Sequence, residues 1–349
     1  MSKSPKKKTR SLPPQSWEMK KLERILDKFS GLRIGVIGDV GVDRYTIGTV
    51  ERISPEAPVP IVFVQEEKLK LGLAANVADN IVALGATPDL VGVVGKDRGA
   101  DDFYGLIKKN KIPSQRIFSD TQRKTILKER IVSDRQQLLR VDYESVEPLS
   151  SATEKQIAQQ IPEFVRGCSA LIIEDYAKGL LTPLLAKSVL EEARKSKCWV
   201  AVDPNRKTAL ELYRGANLLT PNLKEAENLS DISITDERTL LQAGEIILQE
   251  AQAESVVITR GKEGMALFQK GESDVWLIPT FAREVYDVSG AGDTVIAVLT
   301  LAHSAGASLE DAAVLGNLAA GVGVGKRGTA TVTRDEIVKM MQWFQKEYA

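Results

Sequence analysis

Short apolar runs that each close on small or polar residues punctuate the chain: LRIGVIGDV (32–40), DLVGVVGKD (89–97), SALIIEDYAKG (169–179), KCWVAVDPN (197–205), NLLTPN (217–222) and SVVITRGKEG (255–264). An unbroken apolar run of this kind is how a strand buried on both faces reads. Between the runs lie AANVADNIVALG (74–85), TPLLAKSVLEEARK (182–195) and TLLQAGEIILQEAQ (239–252), whose apolar spacing predicts helices. SWEMKKLERILDKF (16–29) puts Trp17, Leu22, Ile25, Leu26 and Phe29 at helical spacing and predicts a first amphipathic helix. Strands alternating with helices predict an α/β fold, a doubly wound and mostly parallel sheet with helices on both faces. Ligands of such sheets gather beyond the carboxyl ends of the strands. Asp39, Asp97, Asp175, Asp203 and Asn222 fall at those ends.

Two stretches break the pattern. PVPIVFVQEEKLKL (58–71) and TQRKTILKERIVSDRQQLLRVDYE (121–144) alternate apolar with polar residues and predict exposed antiparallel strands, a small β-sheet lid projecting over the site. Residues 45–70 and 121–144 bound the segments that supply it. An exposed sheet with one apolar face needs a cover, and a second copy of the chain is the simplest, so a homodimer through the lid is expected.

The 349 residues are 43% hydrophobic and 27% charged, enough for a large core. Lys+Arg and Asp+Glu balance at 47 each, which argues against nucleic acid as a partner. The opening MSKSPKKKTRSLPP is basic without an apolar core, so residues 1–15 are expected as a disordered tail and 16–349 as the folded unit. No run approaches the ~18 apolar residues of a membrane helix. Cys168 and Cys198 form no CxxC pair, so neither disulfide framework nor zinc site is expected, and a cytoplasmic location is. A single histidine, His303, rules out Ser-His-Asp triads and His-rich metal sites and reads as a helix-end residue. Catalysis must run on carboxylates, lysines, arginines and backbone amides.

DVSGAGDTVIAVL (287–299) carries the chemistry. Gly290, Ala291 and Gly292 are small enough for backbone N–H groups to converge on an anion at a helix N-terminus. Asp293 then repels that anion unless it has another task. A general base taking the proton of an incoming hydroxyl, worth ~10²–10⁴-fold, is such a task. The plain alternative is a tight turn with Asp293 as a cap. TPNLKEAENL (220–229) places Asn222 three residues before Glu225, a spacing that suits ordering the water shell of Mg²⁺ but, taken alone, reads better as a simple capping box.

Together and in this order, TPNLKEAE and DVSGAGD resemble the ribokinase family of carbohydrate kinases, over roughly residues 31 to 335. Within it, GDVGVDRYTIGTVERISPEAPVP (38–60), EDYAKG (174–179) and QQLLRVDYE (136–144) resemble the kinases that phosphorylate D-glycero-β-D-manno-heptose 7-phosphate at the anomeric hydroxyl, on the route to ADP-heptose and lipopolysaccharide core. The resemblance implies ATP and Mg²⁺ as cofactors. It makes Asp293 the base and Gly290, Ala291 and Gly292 the anion hole. Asn222, Leu223, Lys224 and Glu225 become the nucleotide and metal motif, with Glu225 reaching Mg²⁺ through water. Thr259, Arg260, Gly261, Gly264 and Asn317 border the nucleotide. Asp39, Asp43, Gly72 and Asn76 hold sugar hydroxyls, and Asp287, with 325–329, marks a region for K⁺. A sugar phosphate needs a further cationic grip, for which Arg130, Arg140 and Lys178 are candidates. Some such kinases are fused to an adenylyltransferase with an HxGH-type motif; none is found here, so a separate downstream adenylyltransferase is expected. Leu73 departs from the family's glycine, so either it points away from the pocket or the sugar site differs. Two rival readings stay open: a kinase of another sugar or sugar phosphate, and a non-catalytic sugar- or nucleotide-binding regulator.

Overall fold

The computed structural model describes residues 7–13, 16–133, 136–282, 285–326 and 328–348. In chain order the strands are β1 (Lys8–Ser11), β2 (Arg33–Gly38), β3 (Val40–Ile53), β4 (Pro60–Leu73), β5 (Thr87–Val94), β6 (Ile117–Ser119), β7 (Ile126–Ser133), β8 (Gln136–Tyr143), β9 (Ala170–Glu174), β10 (Trp199–Asp203), β11 (Leu218–Leu219), β12 (Ser255–Thr259), β13 (Met265–Gln269) and β14 (Asp274–Ile278). The helices are α1 (Met19–Asp27), α2 (Ala74–Ala83), α3 (Arg98–Lys109), α4 (Ser151–Arg166), α5 (Pro183–Ser196), α6 (Leu223–Ser230), α7 (Glu237–Glu250), α8 (Ala291–Ser304), α9 (Leu309–Gly323) and α10 (Arg334–Tyr348).

One sheet has ten strands in the order β1-β14-β13-β12-β11-β10-β9-β2-β5-β6. It is parallel except where β13 pairs antiparallel with β12 and β14. Successive side chains of a strand point to opposite faces. In β9, Ala170 and Ile172 accordingly join one core with Leu22 of α1, Val77 of α2, Phe103 of α3, Ile296 of α8, Leu315 of α9 and Phe344 of α10. Leu171 and Ile173 join the other, with Phe164 of α4, Leu185 of α5, Ala226 of α6 and Ile247 of α7. Helices thus cover both faces, which is why the strands read as continuous apolar runs rather than alternations.

The alternating segments supply β4, β7 and β8 of a second sheet, β4-β3-β7-β8, and β3 joins it from outside them. β3 pairs antiparallel with β4 and parallel with β7, and β7 antiparallel with β8. Because β3 follows β2 after Asp39 and β4 runs straight into α2, this sheet is tied to the carboxyl end of the larger one.

The expected disorder of residues 1–15 fails over Lys8–Ser11, which pairs in parallel with β14; residues 1–6, 14 and 15 lie outside the described residues. Composition marks this stretch as solvated, but it cannot reveal a sheet edge with unpaired backbone nor acids waiting beside it. Lys7 meets Glu245 at 3.3 Å and Arg10 meets Asp274 at 2.9 Å. No helix among the described residues is long and apolar enough to cross a membrane.

Candidate functional site

The site forms where β2, β9 and β10 end beside the N-terminus of α8. Gly290 opens that helix at φ 78°, a conformation that glycine adopts cheaply. N–H groups in a first helical turn lack intrahelical acceptors. Ala291 gives its own to the Val288 carbonyl at 3.2 Å, so the anion cradle is left to its glycine neighbours. Asp293, in the same turn, is buried. Its Oδ2 accepts from Asn76 Nδ2 and its Oδ1 from the Tyr176 hydroxyl, both at 2.6 Å. Burial pushes the Asp293 pKa up, against those two hydrogen bonds. Burial and the adjacent carboxylates hold the Tyr176 phenol well above its ordinary range, so it remains a donor. The geometry is that of a fixed carboxylate, not a helix cap, since Gly290 occupies the capping position and Asp293 makes no capping bond.

Asn76, expected on the sugar, orients Asp293. One turn on, Asn80 donates to the Asn76 carbonyl at 2.9 Å. Asp39 is likewise engaged by backbone: Oδ2 accepts the N–H of Lys178 at 3.0 Å and Oδ1 that of Leu180 at 3.1 Å. It therefore pins the DYAKG turn, in which Ala177 and Gly179 take φ 52° and 96°.

Burial lifts the Asp39 pKa from 3.8 to about 6, the two N–H groups opposing it. An acid whose pKa rises on folding favours the fold while protonated; that contribution is full below the unfolded value and lost as pH rises through the folded one. Between about pH 4 and 6, Asp39 should therefore withdraw roughly 3 kcal/mol of stability. Asp39→Asn does not titrate. Urea unfolding at a series of pH values should show the variant gaining on its parent by up to that amount across the window, and a pH-independent difference would show that Asp39 is not so perturbed.

Asp43 sits with Arg130, Nη1 to Oδ1 at 2.5 Å, and with the Thr329 hydroxyl at 3.5 Å. A Cβ on Gly72 would lie 3.1 Å from Asp43 Oδ2, so glycine leaves room for this buried carboxylate. Arg130 is the register partner of Tyr45 across β3 and β7, and its guanidinium lies 5.3 Å from the Tyr45 ring. Tyr45, Lys68, Lys70, Arg130, Gln137, Tyr286 and Asp287 line a cavity of about 590 Å³. Lys70 Nζ donates to the Thr329 carbonyl at 2.7 Å, and burial lowers its pKa. Lys128, two residues before Arg130, has its amine 5.6 Å from the Tyr176 ring, and burial lowers its pKa also.

Arg140 and Lys178 do not join this cavity. Arg140 is exposed and pairs with Asp142 at 2.9 Å; Lys178 pairs with Glu144 at 2.5 Å. Leu73 takes φ 60°, ψ −141° and is buried. Its backbone thus keeps the glycine-like conformation at a cost of about 1–3 kcal/mol, with the side chain out of solvent.

Asn222 and Glu225 form a complete capping box on α6: the Asn222 side chain accepts the Glu225 N–H at 3.0 Å, and Glu225 Oε2 accepts the Asn222 N–H at 2.9 Å. Leu223 and Lys224 occupy the first turn between them, Lys224 pairing with Glu227 at 3.1 Å. Thr259 bridges to Asn222, and its N–H reaches the Pro221 carbonyl. Arg260 pairs with Glu263. Gly261 is at φ 57° and Gly264 at φ 82°, where a Cβ would come 1.9 Å from the Ile278 carbonyl oxygen. Asn317 is buried and holds the Pro279 carbonyl at 2.8 Å. Asp287 accepts the N–H of Ser289 and of Gly328, so each of its oxygens braces a loop; Arg327 of the 325–329 stretch lies outside the described residues.

Three carboxylates converge beneath α8. Glu174, Asp203 and Asp293 each offer an oxygen, all within 4.8 Å of one another. Burial, then the charge on Asp203 and Asp293, holds Glu174 well above the ordinary carboxylate range; burial, then Glu225 and Asp293, does the same to Asp203. Such an all-oxygen donor set fits a hard divalent cation such as Mg²⁺.

Sequence reasoning missed Tyr176, Lys128, Lys70 and Glu174. Lys128 shares the period-2 face of Arg130 and was legible on that ground. Tyr176 and Glu174 lie within EDYAKG but gave no spacing that singles them out. His303, half-buried in the last turn of α8, stacks on Trp199 at 4.2 Å, and both cysteines are free.

Residues 33–336 match the model of the pfkB family of carbohydrate kinases. The bifunctional protein HldE of Geobacter metallireducens is 44% identical over 324 residues, covering 93% of this chain and 66% of that protein. HldE of Aliarcobacter butzleri is 40% identical over 302 residues, covering 86% and 63%. The chain thus spans about two thirds of the length of these relatives. The fold is that of Escherichia coli phosphofructokinase-2 in complex with potassium (TM-score 0.76, 19% identity, 90% of this chain and 99% of that one). It is also that of Arabidopsis thaliana ribokinase complexed with ribose and ATP (TM-score 0.70, 20% identity, 89% and 99%). A ribokinase-like sheet, a second small sheet at its carboxyl end and a family match over most of the length lead to one conclusion: the chain is a sugar kinase, a member of the pfkB family of carbohydrate kinases.

Proposed function

We propose that the chain phosphorylates D-glycero-β-D-manno-heptose 7-phosphate at O1, using ATP, to give the 1,7-bisphosphate. The observation that carries this reading is the cavity lined by Lys68, Lys70 and Arg130, which a phosphate on the sugar would engage in competition with their present partners Glu66, the Thr329 carbonyl and Asp43. Arg suits such a group because its planar fork can grip phosphate oxygens in pairs. The 44% identity to a bifunctional HldE supports the same choice.

Asp293 takes the proton of the anomeric hydroxyl as that oxygen attacks the γ-phosphorus; the new O–P bond forms, the bridging P–O bond breaks and ADP leaves. Asn76 and Tyr176 hold the carboxylate in line, so little reorganisation is needed during the step. The glycine cradle faces the phosphoryl oxygens. Mg²⁺, when bound, neutralises phosphate charge. Glu225 would hold it through water with the carboxylate oxygen that the capping box leaves over, while Thr259, Arg260, Gly261, Gly264 and Asn317 would shape the nucleotide side. Residues 16–349 work as one kinase unit with the second sheet as lid. Val50, Ile53, Phe63, Val64, Leu139 and Tyr143 are exposed on that sheet, and a second copy of the chain is the proposed cover for exposed apolar residues there. The pathway role is that of a cytoplasmic step toward ADP-heptose for lipopolysaccharide, an adenylyltransferase acting after it.

Phosphorus NMR of the product tests the reaction. A second phosphate resonance coupled to the anomeric proton is expected; a new phosphate on any other carbon would sink the assignment.

A further inference from the structure

Glu174 closes β9 with 1% of its surface exposed, and neither of its carboxylate oxygens has a hydrogen-bond partner. Other buried acids nearby are satisfied: Asp39 by two backbone N–H groups, Asp175 by the hydroxyls of Thr208 and Tyr213 at 2.6 Å. Asp89 and Glu144 each have one orphan oxygen, but each is also in an ion pair. No described Lys or Arg forms a salt bridge with Glu174, Asp203 or Asp293. A carboxylate left wholly unpaired in the interior is strongly unfavourable, so something must answer it.

The surroundings are built to leave room for an answer. Glu174 and Asp203 are register partners on the parallel strands β9 and β10, so their side chains leave the sheet on the same face. On the other side of Glu174 the register partner is Gly38, where any Cβ would sit 2.7 Å from Glu174 Cβ. Asp203 takes one hydrogen bond, from Thr220 to Oδ1 at 3.1 Å, and its Oδ2 looks toward Gly292, whose added Cβ would be 3.5 Å away. Asp293 closes the group from α8, and a carboxylate with two hydrogen bonds still has lone pairs to give.

We propose that Glu174, Asp203 and Asp293 form a direct divalent-cation site, anchored by Glu174, that fills without nucleotide. Hard cations hold carboxylate oxygens at about 2.0–2.6 Å, so ligands across an ion stand roughly 4–5 Å apart. The 4.8 Å limit on the three oxygens fits that spread. This site is distinct from a water-mediated ion at Glu225, and it sets positive charge beside Asp293 and the glycine cradle before any phosphate arrives. It stands on the three carboxylates and not on which sugar the kinase uses.

Mn²⁺ is the probe, titrated into the full-length, metal-stripped protein without sugar or nucleotide, with free Mn²⁺ read by electron paramagnetic resonance. One ion per chain is expected. E174Q should weaken its Kd at least tenfold and E225Q less than threefold. Without metal, E174Q should melt no lower than the parent, because it replaces a buried acid that has no hydrogen-bond partner with a neutral amide of the same shape, and the Mn²⁺-induced rise in Tm should shrink. D203N supplies a second reading, also at least tenfold, should E174Q not fold. Absence of stoichiometric Mn²⁺ binding, or binding that E225Q weakens while E174Q and D203N do not, would overturn the proposal.

Discussion

Asp293→Asn is expected to lower kcat by about 10²–10⁴-fold while leaving the Kd for ATP within about threefold. The size follows from the loss of a positioned base. The selectivity follows from the hydrogen bonds around it. Asn76 donates to one oxygen of Asp293 and Tyr176 to the other, each at 2.6 Å. An asparagine can keep its amide oxygen toward Asn76 and turn its NH₂ toward the Tyr176 oxygen, because a phenol accepts as well as donates. The fold around it should survive, and stability should not fall, since burial already disfavours the Asp293 charge. Steady-state kinetics with an independent ATP titration separates the two quantities. A variant that retained more than a tenth of the parent kcat would remove Asp293 from the role of base.

Gly290→Ala should produce the second largest loss, by a different route. The backbone there has φ 78°, which costs an L-residue about 1–2 kcal/mol. The new Cβ would stand 2.8 Å from Asn76 Nδ2, the atom that donates to Asp293. Asn76 must yield, and the carboxylate loses its guide. A displacement of about 1 Å in catalytic geometry is worth about 10²-fold in rate, so kcat should fall by that order. Gly306→Ala is the control: φ is 87° but nothing lies within 4 Å of its Cβ. It should lose similar stability in denaturant unfolding and keep its kcat. Equal kinetic losses in both variants would mean that Gly290 matters only for folding.

Much of this was legible because two-sided burial and period-2 alternation leave different marks. β2, β9, β10, β11 and β12 lie within the apolar runs and β5 overlaps one; β7 and β8 lie within one alternating stretch, β4 overlaps the other, and β3 lies outside both. The GAGD turn likewise announced a helix N-terminus with a carboxylate in it. What stayed hidden depends on contacts between distant residues. Asn76 bonds Asp293, and Asp39 the Lys178 and Leu180 amides, pairings that no local spacing encodes. Arg140, Lys178 and Arg130 all have acids within reach, but of the three Arg130 alone lines the cavity. Lys8–Ser11 looked like a tail until β14 supplied an edge. Leu73 shows the reverse: steric preference argued against positive φ, and tertiary packing overrode it.

The most direct test is ADP release by the purified protein with ATP and Mg²⁺, comparing heptose 7-phosphate with ribose, fructose 6-phosphate and no sugar. Release with the heptose phosphate, at least a hundredfold above the others, is the expected result. Comparable release with another sugar, or with none, would contradict heptose 7-phosphate as the substrate.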